Sequence, residues 1–295
     1  MDGHEDLPPA AHPDVDATAR ASIARMYDFI LGGSRNLAVD RAAAEQALTQ
    51  MPDLPRVLRA NRAFLGRVVR NMVDVGIRQF LDLGSGIPTV GNVHEIAQRH
   101  DPGIRVVYVD LDPIAVLTAD EVLAGNPNVT MIRADLRHPE RVLADAEVRR
   151  LIDLTRPVGV LLVGVLHLIP DEEDPAGILD YLYEAVAPGS YLALSHMSPS
   201  ERQTPAGMRE AQRTYQQSGN PLHPRRSDEI EELLRDWQPE PPGLVACPHW
   251  RPDPDTEPLN SEVTFPGYAA LTRKPPVLGD GKAASRIVTV RSVLS

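Results

Sequence analysis

The segment Asp82-Leu83-Gly84-Ser85-Gly86 closes a short apolar run, residues 80–83, with two glycines. Glycine has no side chain, so a ligand can approach the backbone there, at the carboxyl end of a strand where open parallel sheets bind ligands. Taken alone, the glycines fit a simple tight turn equally well. Spacing separates the two readings. The next apolar run ends at Asp110, 24 residues after Gly86, and the one after it leads to Asp135, 25 residues further on. A carboxylate at the first position can accept hydrogen bonds from the two hydroxyls of a ribose, and one at the second from an exocyclic adenine amine. Each acid singly fits a solvated strand end, and Asp112 reads as the cap of the following helix. Three such stations at successive strand ends point to an adenosine compound.

The loop narrows which compound. A dinucleotide fingerprint needs Gly-x-Gly-x-x-Gly, with the helix starting at the glycines so that its N-terminus holds a pyrophosphate. Here Thr89 stands at the third position, Pro88 and Gly91 lengthen the loop, and the helix is expected to start near Asn92 with Glu95 completing a capping box. No Gly-Lys-Ser or Gly-Lys-Thr occurs, so a phosphate-binding P-loop is absent. A ligand without phosphates, such as S-adenosylmethionine, suits this loop.

These residues need a framework to hold them. Residues 23–31 carry apolar side chains at helical spacing and stop at Gly32-Gly33, and residues 38–50 and 56–75 continue as two further helices. From Gln79 the pattern changes to short Val-, Ile- and Leu-rich runs at 80–83, 106–109, 129–132, 158–163 and 191–194, alternating with helical segments. Such alternation predicts βαβ units and a mostly parallel sheet. Beyond it, helices are expected at 205–217 and 228–237, the latter capped by Ser227. Late edge strands are expected at 244–246 and 268–271 in and after a stretch with seven prolines, and 286–294 offers a further strand.

Composition sets the outer bounds. The chain has 295 residues, 30 basic and 41 acidic side chains, a formal charge of -11, and one cysteine. No basic excess supports a nucleic-acid partner. Cys247 has no partner within the chain, so the default is a reducing, cytoplasmic compartment. The first 16 residues hold five acids and no Lys or Arg, opposite in sign to a secretory leader, and read as a disordered tail. The most apolar stretch, 158–169, is 12 residues long and includes His167, too short for a bilayer span. No His, Cys or carboxylate cluster has metal-ligand spacing.

With Asp82 to Gly86, Asp110 and Asp135 in place, the chain resembles the class I S-adenosylmethionine-dependent methyltransferases. More narrowly, Ala24-Arg25-Met26-Tyr27-Asp28-Phe29-Ile30-Leu31-Gly32-Gly33, Arg59-Ala60-Asn61-Arg62-Ala63-Phe64-Leu65, Gln79 through Thr89, Asn92-Val93-His94-Glu95, Val106-Val107-Tyr108-Val109-Asp110 and Leu166-His167 resemble one actinobacterial family formerly catalogued as a domain of unknown function. The resemblance spans roughly residues 20–275. It implies a Rossmann-like, three-layer α/β sandwich with a seven-stranded, mostly parallel sheet. The expected division is an acidic tail at 1–18, an N-terminal helical cap at 19–76, the cofactor-binding core at 77–275 and a C-terminal tail at 276–295.

The expected cofactor is S-adenosyl-L-methionine, held by Asp82, Gly84, Ser85, Gly86, Asp110, Leu111, Asp135, Leu136 and Tyr27. Asn36 or Arg62 is expected to meet its carboxylate, although Tyr27 equally fits a core residue. His167 follows the fourth strand and His196 the fifth, where class I enzymes contact the acceptor; both are expected to touch substrate, with His167 as a general base if the acceptor is a weak acid. Each imidazole equally fits a group that satisfies the backbone at a strand exit, and His94 reads as structural or as a wall of the site. The expected partner is a small-molecule methyl acceptor, methylated on O or N. Gly164-Val165-Leu166-His167 in place of an Asn-Pro-Pro-Tyr or Asp-Pro-Pro-Tyr signature disfavours nucleobase amines, and the late loop position of Cys247 disfavours a cysteine nucleophile. The alternatives are a cofactor-binding sensor or scaffold without turnover and, contrary to the missing glycine, a nicotinamide oxidoreductase.

Overall fold

The computed structural model describes residues 19–88, 91–199, 216, 221–254 and 267–276. The expected acidic tail, most of the helix at 205–217 and the strand at 286–294 lie outside the described residues.

Three helices come first: α1 (Ile23–Ile30), α2 (Ala38–Gln50) and α3 (Leu54–Asp74). Helix α1 stops where Gly32 adopts a φ of 86°, a conformation that favours glycine. The sheet then builds up as β1 (Gln79–Leu83), β2 (Arg105–Asp110), β3 (Val129–Arg133), β4 (Gly159–Val163) and β5 (Tyr191–Met197), all parallel. Between them run α4 (Val93–Gln98), α5 (Pro113–Val122), α6 (Pro139–Ala144), α7 (Ala146–Leu151) and α8 (Pro175–Ala185); α9 (Ser227–Leu233) follows. Short β6 (Gln238–Pro239) and β7 (Val245–Ala246) both pair antiparallel with β8 (Gly267–Arg273), which lies antiparallel to β5. The order is β3-β2-β1-β4-β5-β8-β6, with β7 beside β8.

Strand side chains alternate between faces, and both faces are covered. Leu81, Leu83, Val107, Val109, Val160 and Leu162 join one core cluster with α6 to α9, while Phe80, Val106, Tyr108 and Leu161 join another with α3, α4, α5 and Trp250. Two-sided burial is why these strands read as unbroken apolar runs. Between β1 and β4 the chain switches direction across the sheet, opening a crevice at the strands' carboxyl ends.

Three boundaries differ from expectation. Helix α9 begins one residue early and ends at Leu233: the backbone N–H of Arg226, not Ser227, takes the cap position and donates to Glu229 Oε2 at 2.7 Å. Strand β8 is interior, because β6 and β7 cover its far side, and Pro239 sits on the short outer strand where a missing N–H does no harm. Most of α3 packs on the sheet through Phe64, Val68, Val69 and Met72, whereas Met26, Ala44, Ala47 and Leu54 form a separate small core.

Candidate functional site

At the carboxyl ends of β1 to β4, roofed by α1, lies a cleft of about 880 Å³. That is the size range of a cofactor site. All nine residues expected to hold the cofactor line it: Tyr27, Asp82, Gly84, Ser85, Gly86, Asp110, Leu111, Asp135 and Leu136.

The glycine loop is tied to β2, because the N–H groups of Gly84 and Ser85 both donate to Val109 O, at 2.8 and 3.1 Å. The two glycines have different reasons. A Cβ on Gly84 would collide with the side chain of Val165, so that residue is small to let the β4 exit pack closely. A Cβ on Gly86 would meet only Ala24, at 3.9 Å, so its face is open toward the roof. Both have positive φ, 72° and 69°.

The three acids stand in different states. Asp110 accepts from the Gly86 N–H at 2.7 Å and from the Asp112 N–H at 2.9 Å, one on each oxygen. Burial nevertheless raises its pKa, with these N–H groups opposing. Asp135 feels burial in the same direction, but hydrogen bonds from Arg137 outweigh it and hold its pKa low. That guanidinium spans the cleft wall, donating to Asp135 at 2.9 Å and to Glu173 at 2.7 Å. Asp82 is buried, 6% exposed, and has no hydrogen-bond partner among the described residues. Burial pushes its pKa up to about 7, opposed by the positive charge of Arg62 and reinforced by Asp110. A buried carboxyl without a partner is costly unless a ligand supplies one.

The roof is clamped to the cofactor side of the sheet. Arg25, fully buried, donates to Asp40 at 2.8 Å and to Asp112 at 3.1 Å. Asp112 also caps α5, accepting from the Ile114 N–H at 2.8 Å, so its capping role stands alongside this ion pair. Arg62 lines the cleft and donates to Gly91 O at 3.2 Å. Asn36 does not line the cleft: its amide donates to Asp28 at 2.8 Å and to Gly33 O at 3.0 Å, closing the turn after α1.

A smaller apolar pocket of about 90 Å³ adjoins the cleft and shares Ile23, Tyr27, Asn61 and Gly164 with it. Its polar lining includes His167, Ser195, His196, Asn61 and Tyr268, with Ser195 Oγ donating to Asn61 at 2.6 Å. The Tyr27 hydroxyl donates to Leu58 O at 3.0 Å, and burial pushes its pKa up to about 12, with Arg62 opposing. His196 lies within β5, not after it. Its Nδ1–H donates to Met197 O at 2.7 Å and its Nε2 accepts from Arg225 at 3.0 Å. With both nitrogens engaged, His196 has none left for a substrate, which corrects the expected contact to one of shape alone. His167 sits on a 3-10 turn, Leu166–Leu168, and its Nδ1 accepts from the Met197 N–H at 3.4 Å.

A family model described as S-adenosyl methyltransferase matches residues 9–275. The chain belongs to the S-adenosyl methyltransferase family. The methyltransferase is 37% identical to a candidate methyltransferase from Thermobifida fusca YX, with a TM-score of 0.81 over 90% of this chain and 100% of that one. It is also 37% identical to a DUF574 family protein from Streptomyces avermitilis, with a TM-score of 0.81 over 88% of this chain and 99% of that one. No curated protein matches it. The enzyme transfers a methyl group and uses S-adenosylmethionine, and its fold is the class I Rossmann-like sandwich expected from the motifs.

Several contacts of the methyltransferase site had no local sequence signal. Arg137 and Glu173 meet across 36 positions, Arg25 and Asp112 across 87, and Arg225 reaches His196 and Asp171 from a loop ahead of α9. Asn61 lay inside a family-like segment, and that was its only signal. His94 is structural: its ring and its N–H both meet the Tyr108 hydroxyl, at 2.8 and 2.9 Å. Cys247 is a buried thiol pushed up to about 12 by burial, a state opposite to that of a nucleophile. Among the described residues no helix is long and apolar enough to cross a membrane.

Proposed function

We propose that the methyltransferase holds S-adenosylmethionine in the large cleft and passes its methyl group to nitrogen or oxygen of a small molecule in the adjoining apolar pocket. The observation that carries this reading is the buried carboxyl of Asp82, without a hydrogen-bond partner among the described residues and set on the cleft wall beside Arg62 and Asp110. The amino-acid tail of the cofactor bears an ammonium and a carboxylate. Asp82 is placed for the first and Arg62 for the second. Asp110 retains a lone pair on each oxygen for the ribose hydroxyls, and Asp135 borders the adenine end, its carboxylate shared with Arg137.

What the cofactor supplies when bound is a methyl group on a positively charged sulfur, activated for in-line displacement. The chain then has to align and to exclude water. Helix α1, clamped by Arg25 to Asp112, roofs the cleft, and Tyr27 lines both cleft and pocket at the point where they meet. Helices α1 and α2 therefore act as a cap, and α3 serves as part of the core. A pocket of about 90 Å³ admits a small group, not a nucleic-acid strand, and a net charge of -11 favours no such partner. The buried thiol of Cys247 suits a reducing compartment, and we place the enzyme in the cytoplasm. Calorimetric titration with S-adenosylmethionine and S-adenosylhomocysteine tests the cleft: micromolar binding of both supports it, and folded protein that binds neither removes it.

A further inference from the structure

The tautomer of His167 narrows the chemistry of the acceptor, on the reading that the apolar pocket receives it. A backbone N–H can only donate, so the contact from Met197 at 3.4 Å makes His167 Nδ1 an acceptor. A neutral imidazole that accepts at Nδ1 carries its proton at Nε2. That Nε2 has no hydrogen-bond partner among the described residues, and the side chain lines the pocket. The ring therefore offers the pocket an N–H, not a lone pair.

We propose that His167 is a hydrogen-bond donor to the methyl acceptor, and that the acceptor is an uncharged nitrogen compound carrying a hydrogen-bond-accepting atom and needing no protein base.

Using His167 as a base would require an imidazolium among neighbours that oppose it. The His196 ring stands 5.6 Å away on β5, with its acceptor nitrogen already taken by Arg225. Arg225 and His223 face His167 from the segment ahead of α9, and both work against a positive charge there. The carboxylate in this array, Asp171, is engaged by Arg225 at 2.6 Å. Burial first, then His196, Arg225 and His223, pushes the His167 pKa down to about 3, so the ring is neutral across the physiological range. Met26, Ile30, Leu54, Leu58 and Leu222 make the other walls apolar, where a charged acceptor would lose its hydration without compensation.

A hydroxyl nucleophile would have to lose its proton to reach full reactivity, and among the described residues lining the pocket neither imidazole can take it: His167 carries a proton on its free nitrogen, and both nitrogens of His196 are engaged. An uncharged nitrogen has a lone pair ready. That pair forms the new nitrogen–carbon bond as the carbon–sulfur bond breaks, the bonding pair stays on sulfur, and the positive charge passes from sulfur to nitrogen. Any proton on the nitrogen leaves to water after release.

The test uses full-length protein labelled with 15N-histidine and saturated with S-adenosylhomocysteine. Two-bond proton–nitrogen spectra are recorded from pH 5 to 9, with His167→Gln and, as a second variant, His167→Asn to assign the ring. The expected result is a single Nε2–H tautomer that does not titrate in this range. An Nδ1–H tautomer, or a titration midpoint between pH 5 and 9, overturns the inference and returns hydroxyl acceptors to consideration. Pyridine, added at pH 7.5, is expected to shift the His167 Nε2 resonance where benzene of the same size does not. Equal shifts from both, or none from either, overturn the acceptor class. If the homocysteine product binds and His167 still shows the other tautomer, this inference fails and the proposed function stands; if the product does not bind, the proposed function fails first.

Discussion

The cleft and the pocket it opens into share a boundary at Tyr27, Asn61 and Gly164, yet treat polar groups in opposite ways. In the cleft, Asp82 is buried with no hydrogen-bond partner among the described residues, and Asp110 keeps acceptor capacity on both oxygens. At the pocket, Ser195 is bound to Asn61, His196 is bound to Met197 O and to Arg225 behind it, Arg225 is in turn paired with Asp171, and His167 alone presents a ring nitrogen. Unpartnered charge marks the part of the molecule completed by a charged cofactor. Internally compensated charge marks the part that must stay neutral and keep its shape.

That contrast can be broken from either side. The largest effect is expected at Arg225, whose guanidinium holds Leu166 O, Ile169 O and His196 Nε2 together. Arg225→Met leaves these buried acceptors unpaired and should cost about 3 kcal/mol of folding stability. Urea denaturation reads this directly, and an unchanged midpoint would show that the array is not a structural unit.

Asp110→Ala removes a carboxylate from the cleft and should weaken S-adenosylmethionine binding about 100-fold, roughly 2.7 kcal/mol, by calorimetry. A change under threefold would contradict the ribose assignment.

Asp82→Asn should lower affinity about tenfold at pH 8 and make it independent of pH. In the wild type an ammonium prefers the ionised carboxyl, so affinity should fall as pH drops through about 7. The effect on stability has the opposite sign. The folded carboxyl titrates near 7, above its unfolded value, so the stability it lends is full below the unfolded pKa and is lost as pH rises through 7. At pH 8 the ionised, buried group opposes folding, and the cofactor-free Asn variant should melt higher than wild type. If the variant melts lower there, Asp82 has a partner in the free protein after all.

The smallest effect is expected at Arg137, 40% exposed, where the pairs with Asp135 and Glu173 are screened by solvent. Arg137→Ala should change stability by less than about 1 kcal/mol and cofactor affinity by less than about threefold. A larger loss of affinity would make the bridge part of the adenine site itself.

Much of the fold was legible because buried parallel strands appear as apolar runs and helices as 3.6-residue stripes. The five parallel strands and α1 to α3 appear within a few residues of where their patterns put them. What pattern could not reach was pairing at a distance. Nothing near residues 268–271 says that two short strands will cover β8, and nothing near His196 says that β5 continues through it. Within the site the same division holds. Asp82, Gly86, Asp110 and Asp135 were readable because each stands at or just past the carboxyl end of a strand whose apolar run marks it. The ion pairs of Arg225 and Arg25 were not, because their partners lie 54 and 87 residues away.

The sequence by itself determined where the cofactor's cleft would be: glycines and acids at the tips of successive strands must converge once those strands lie parallel. Only the tertiary structure decided the states of the groups around it. Whether Asp82 is charged, and which nitrogen of His167 holds the proton, depends on burial and on neighbours that folding brings close. Those are properties of the assembled environment, and no stretch of chain carries them alone.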